Sequence, residues 1–260
     1  MKFNLPNQLH EADKFLQNPF VIFEIHNFMD DSDYDALVQE IKSWDDYKIS
    51  ADLGEGRGEK KKTSYTRSDL GQIELPQFKK FVTEITSRSF FQWFAKTHLP
   101  YYKRGLLTIY VSKPKNIFSR ILRRINRILR SPFSFYYIEV ENSVIKKGTS
   151  ISPHTDAPNK RLSLVFYLSE RGLPEQMRTN LGTIFYGISN GGQKWSKFNT
   201  NLLTKNETTE FLKSYQPTHI SHFRPNACSG FIKNDISWHS VAENKYDYDR
   251  KTIVINMMEV

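Results

Sequence analysis

The stretch Gly148–Leu168, G-T-S-I-S-P-H-T-D-A-P-N-K-R-L-S-L-V-F-Y-L, decides how this chain is read. It sets His154 and Asp156 two residues apart at a strand end, ahead of a strand-like run, R-L-S-L-V-F-Y-L over 161–168. On a strand, residues i and i+2 project to one face, so the pair can grip one side of a metal ion. An H-x-D pair alone recurs by chance. Two later features sharpen it: Trp238-His239-Ser240-Val241 supplies another imidazole, and Arg250 opens R-K-T-I-V-I-N-M-M, a second apolar run.

Two histidines and one carboxylate on one face of an ion, with the other positions open, are the ligand set of non-haem Fe(II) oxygenases. With Arg250 added, the series His154-Thr155-Asp156, His239, Arg250 resembles the H-x-D…H…R pattern of the Fe(II)- and 2-oxoglutarate-dependent dioxygenases, and within them the prolyl-hydroxylase-like branch. The resemblance covers about residues 100–260 well and the N-terminal part loosely; Gly148, six residues before His154, and L-G-T-I-F-Y-G (181–187) belong to it.

The resemblance implies Fe(II) held by His154, Asp156 and His239, 2-oxoglutarate as cosubstrate, and dioxygen as oxidant. It implies that Arg250 takes the distal carboxylate of 2-oxoglutarate, a task suited to a guanidinium, which stays charged and bonds carboxylates through two parallel hydrogen bonds. Thr252, two residues on, resembles the hydroxyl of an R-x-S/T pair. The implied reaction releases succinate and CO2 and hydroxylates a C–H bond. One departure stands out: relatives often carry a tyrosine three residues before the glycine, where this chain has Ile145, so that cosubstrate contact is either missing or supplied elsewhere, with Tyr137 as the candidate. The substrate class stays open between a peptidyl residue, a free amino acid and a glycolipid headgroup. Two other readings are a non-catalytic jelly-roll that binds a ligand or metal, and a β-barrel metalloenzyme using no oxoacid; neither gives Arg250 and Thr252 a purpose.

The expected fold is α+β: a double-stranded β-helix (jelly-roll, cupin-like) core with N-terminal helices packed against its sheet. Residues 1–260 are expected to form one domain, with 1–100 supplying a strand and supporting helices and 101–260 the core. Hydrophobic content of 38% excludes a disordered chain. One cysteine, Cys228, excludes an intrachain disulfide framework and reads as a buried bystander thiol. The start lacks an apolar signal core and no window is apolar enough to span a membrane, so the expected location is cytoplasmic.

F-V-I-F-E-I-H-N-F-M reads as a strand, and the acidic cluster Asp30, Asp31 and Asp33 opens a helix with Tyr34, Leu37, Val38 and Ile41 on one face. Residues 53–72 hold four glycines and Lys60, Lys61 and Lys62, and read as a solvated loop or a lid. From Pro76 one long helix is expected to end near Leu99-Pro100, with G-L-L-T-I-Y-V (105–111) starting the core sheet.

N-I-F-S-R-I-L-R-R-I-N-R-I-L-R (116–130) is a helical pattern. Its apolar residues fill an arc of roughly 140°. Arg120, Arg123, Arg124, Arg127 and Arg130 take the other side with no acid among them. Packing on the sheet explains the apolar arc; the arginines suit an anionic membrane surface or an acidic partner, giving peripheral attachment. No motif for sequence-specific nucleic-acid binding accompanies them. His10, His26 and His98 read as surface or structural. His219 and His222 lie on P-T-H-I-S-H-F-R-P, whose alternation sends them to opposite faces rather than to one metal.

Overall fold

F-S-F-Y-Y-I-E-V-E-N-S-V-I, rich in aromatic and β-branched residues, builds β5 (Phe133–Ile145), the longest described strand of the computed structural model. The structure describes residues 1–42, 60–98, 107–113, 133–192, 194–195 and 203–260. The basic segment 116–130 and the glycines of 54–58 lie outside them.

The larger sheet joins β1 (Lys14–Leu16), β2 (Ile22–Ile25), β10 (Cys228–Ile232), β7 (Lys160–Tyr167), β12 (Arg250–Glu259), β5 and β3 (Lys60–Tyr65) in that order, with β4 (Leu107–Tyr110) parallel to β5. The smaller joins β6 (Ile151–His154), β11 (His239–Val241), β8 (Thr183–Ile188) and β9 (Tyr215–Ser221). Together they form the expected double-stranded β-helix.

Register sorts the larger sheet into two faces. Because Ile253 pairs with Phe166 and with Asn142, and Ile255 with Leu164 and Val140, one face carries Phe166, Leu164, Ile253, Ile255 and Val140. That face is covered by α1 (Asp31–Lys42), α2 (Pro76–Ile85) and α3 (Arg88–His98), whose Leu37, Phe81 and Phe94 are fully buried in the same cluster. Phe81 stacks on Phe166 at 5.6 Å, and the Tyr34 hydroxyl donates to Ser169 O at 2.6 Å. The other face, turned toward the smaller sheet, carries Arg250, Thr252, Val254 and Asn256 beside Tyr167, Val165 and Ser163. Gly230 of β10 has no room for a side chain, since a Cβ there would lie 2.2 Å from Cζ of Phe23.

Two expectations are corrected. The long helix from Pro76 is two helices. Thr86 Oγ1 turns back to Val82 O at 2.7 Å, and Ser87 Oγ accepts from Phe90 N at 3.2 Å, so hydroxyls end one helix and start the next. The described part of the expected loop is a strand over Lys60–Tyr65, paired with β5, and a 3-10 turn over Arg67–Gln72. Among the described residues no helix is long and apolar enough to cross a membrane. Cys228 is buried, and burial pushes its thiol pKa up, which makes it unreactive.

Glu24 of β2 and His219 of β9 tie the two sheets together, with Oε1 2.6 Å from Nε2. His26 Nε2 sits 3.3 Å from the other oxygen, and Lys14 Nζ 3.2 Å from His219 Nδ1. Burial alone would raise the Glu24 pKa, but the bond and charge of His219, helped by His26 and Lys14, outweigh it and hold the carboxyl below its ordinary 4.5. A depressed carboxyl stabilises the fold above its unfolded value, and that contribution is lost as the pH falls through the folded value. Glu24→Ala is therefore expected to cost about 3 kcal/mol at pH 7 by stranding His219. In urea unfolding the cost should shrink as the pH drops below about 4.5; a pH-independent cost would show that packing, not the pair, is what was lost.

Candidate active site

His154 ends β6 and His239 opens β11, and the two residues face each other directly across those strands. Phe185 of β8 lies on the far side of His239, and His219 beyond it, so four rings cross the inner face of the smaller sheet in one row. The two imidazoles are 4.2 Å apart, centroid to centroid. Trp238, next to His239, turns to the opposite face and packs with Phe211, Tyr186 and Tyr215, which anchors this three-residue strand.

Asp156 does not continue β6. It lies two residues past the strand end in the left-handed region, φ 65°. The i, i+2 argument is therefore corrected: the turn, not strand alternation, brings this carboxylate round to the imidazoles. Its Oδ1 is 3.6 Å from His154 Nε2 and its Oδ2 3.8 Å from His239 Nε2, and one ligand atom from each of the three residues lies within 4.8 Å of the others. His154 Nδ1 sits 2.9 Å from Ser152 O, and His239 Nδ1 3.0 Å from Ser237 O. A carbonyl can only accept, so each Nδ1 carries the proton and Nε2 is the nitrogen left to ligate a metal.

Sequence reasoning missed the residues behind Asp156. Lys160 Nζ donates to Oδ1 at 3.1 Å and Ser163 Oγ to Oδ2 at 3.2 Å. Burial would raise the Asp156 pKa, but the Lys160 ammonium beside it, seconded by the two neighbouring imidazoles, overrides burial and holds the group far below the usual carboxylate range. The carboxylate is ionised at any working pH. Ser163 was readable from its alternation with Val165 and Tyr167; Lys160 opens β7 and gave no signal.

Arg250 is 3% exposed. Its Nε donates to Leu181 O at 2.6 Å and Nη2 to Thr183 Oγ1 at 3.3 Å, while the rings of Tyr167 and Phe223 flank it at 5.8 and 6.0 Å. Among the described residues no carboxylate pairs with it, and burial pulls its pKa down to about 10. Thr252 Oγ1, on the same face, is buried and has no hydrogen-bond partner among the described residues. An unneutralised buried guanidinium beside an orphan hydroxyl fits an anion with acceptor oxygens. Thr183, which Arg250 touches, lies two residues along β8 from Phe185, the neighbour of His239. That step is about 7 Å, the scale of a short dicarboxylate.

Tyr137 does not join this group. It pairs with Met258, eight residues along β12 from Arg250, and packs with Met258 and Val260. Its expected role as a contact to the Arg250-bound carboxylate is corrected, since the separation along the sheet is about 26 Å. The tyrosine beside Arg250 is Tyr167, whose hydroxyl donates to Thr183 Oγ1 at 2.9 Å. His219 and His222 part as expected, the first to Glu24 and the second to Glu175 Oε1 at 2.5 Å.

No family model matches the sequence. No curated protein matches it either. Solved structures do. A prolyl-4-hydroxylase of Pseudomonas putida matches with a TM-score of 0.50 at 11% identity, covering 91% of each chain. The carbocyclase SnoK from nogalamycin biosynthesis follows at 0.48 and 10%, covering 91% of this chain and 79% of its own. A prolyl hydroxylase of Trichoplax adhaerens matches at 0.44 and 12%, over 91% and 83%. The chain shares its double-stranded β-helix fold with that Pseudomonas putida prolyl-4-hydroxylase. On it stands a His154, Asp156, His239 arrangement suited to one metal ion.

Proposed function

We propose that this protein is an Fe(II)- and 2-oxoglutarate-dependent oxygenase that hydroxylates a C–H bond of its substrate, releasing succinate and CO2. The single observation that carries the reading is the convergence of His154, Asp156 and His239 within 4.8 Å, with both histidines protonated away from the centre. Three ligands on one face leave positions for a chelating oxoacid and for dioxygen. When bound, the iron supplies the oxygen chemistry. The chain supplies geometry: Ser152 and Ser237 carbonyls orient the imidazoles, Lys160 and Ser163 hold the carboxylate, and Arg250 with Thr252 meets the distal end of 2-oxoglutarate. Tyr167 and Phe223 wall that end off from water, which strengthens each charge-assisted bond there.

Anaerobic addition of Fe(II) and 2-oxoglutarate is the test. A weak visible charge-transfer band of the iron chelate is expected, followed by succinate release on admitting air. A protein that binds Fe(II) but gives neither band nor succinate would be a metal-binding jelly-roll without this activity.

A further inference from the structure

Lys233 follows β10 directly, and its N–H continues the ladder to Arg161 O at 3.1 Å. Phe231, two residues earlier, pairs with Ser163, which in turn bonds Asp156 and Asn256. Alternation therefore turns the Lys233 side chain to the face that carries the metal ligands. The charges that bear on it are Asp235, Arg161 and Asp156. Of these, Asp235 is exposed and Arg161 is committed to Glu259, its Nε 2.7 Å from Oε2. Asp156 already has Lys160. Lys233 itself is 7% exposed and, among the described residues, has neither an ion pair nor a side-chain hydrogen bond.

The lysine stem is packed in while its ammonium, not wholly withdrawn from solvent, meets no protein partner among the described residues, so its charge is open to an incoming anion. Burial pulls the Lys233 pKa down, as expected of a cation lacking its counter-ion. Its place also separates it from the cosubstrate end. Arg250 begins β12, whereas Arg161, the ladder neighbour of Lys233, is bonded to Glu259 at the other end of that strand. The metal ligands lie between, since Asp156 and Asn256 share Ser163.

We propose that Lys233 binds a carboxylate of the substrate, on the side of the metal centre away from Arg250, so that the enzyme acts on a molecule bearing a free acid group. One unpaired ammonium matches one monoanion; a phosphate dianion would leave a buried charge unmet. The proposal rests on the oxygenase reading and deepens it.

Hexanoate and hexanamide are the probes, titrated calorimetrically into Mn(II)-loaded protein saturated with 2-oxoglutarate. Hexanoate is expected to bind about tenfold more tightly than the amide, from one charge-assisted bond to a partly buried ammonium. Lys233→Met should abolish that preference, leave 2-oxoglutarate affinity unchanged and not lower the thermal midpoint, since it replaces an unpaired ammonium with an apolar chain. Lys233→Arg should keep the preference. Equal or undetectable binding of the two probes overturns the proposal. So does loss of 2-oxoglutarate affinity in Lys233→Met, which would make the lysine a cosubstrate residue. Failure of the wild-type protein to bind 2-oxoglutarate identifies the oxygenase reading as the fault, and the proposal falls with it.

Discussion

Asp156→Asn is expected to fold and to lose 2-oxoglutarate turnover beyond detection. Metal affinity should drop by more than the roughly 100-fold that losing a residue behind a ligand costs. Asparagine is the informative choice because Asp156 sits at φ 65°, a left-handed conformation that asparagine adopts with little strain. The amide oxygen can still accept from Ser163, so the turn survives. What disappears is the negative charge, and with it the balance against Lys160, whose ammonium lies 3.1 Å from Oδ1. The site then presents two neutral imidazoles and a bare cation to an incoming dication. Titration of Mn(II) followed by paramagnetic resonance measures this directly. Retained affinity in Asp156→Asn would remove the carboxylate from the ligand set, while circular dichroism confirms that the variant is folded.

The strands were legible as short, nearly continuous apolar runs. R-L-S-L-V-F-Y-L, L-G-T-I-F-Y-G and R-K-T-I-V-I-N-M-M all became strands within a residue or two of expectation, because the sheet is covered on both faces and its strands are buried almost throughout. The metal ligands were legible for a different reason: none of them is informative singly, but the ordered series of histidine, acid, later histidine and arginine is. Three things were not legible. The break at Thr86-Ser87 depends on hydroxyls returning to backbone groups, which compete with the helix only in a particular geometry. Lys60–Tyr65 has the composition of a loop and becomes a strand only because β5 is long enough to offer it an edge. Tyr137 and Tyr167 are indistinguishable as letters; only register shows that one faces Thr252 and the other Met258.

Arg250→Met is expected to raise the dissociation constant for 2-oxoglutarate by about 100-fold, the loss of a bidentate charge-assisted pair in a buried site. Metal affinity should be unchanged. The apo protein should be no less stable, since the guanidinium is fully desolvated and, among the described residues, meets only Leu181 O, Thr183 Oγ1 and two ring faces. Methionine has a similar length and would remove an uncompensated charge from between those rings. Arg250→Lys separates charge from shape: it keeps a cation but not the planar fork, and about tenfold weaker binding is expected. Calorimetry on Mn(II)-loaded protein reads each of these. The opposite pattern, stability lost and 2-oxoglutarate affinity kept, would mean that Arg250 is a strut between β12 and β8. The orphan hydroxyl of Thr252 argues against a strut, because a residue placed only for packing would not need an unsatisfied acceptor-seeking group beside it.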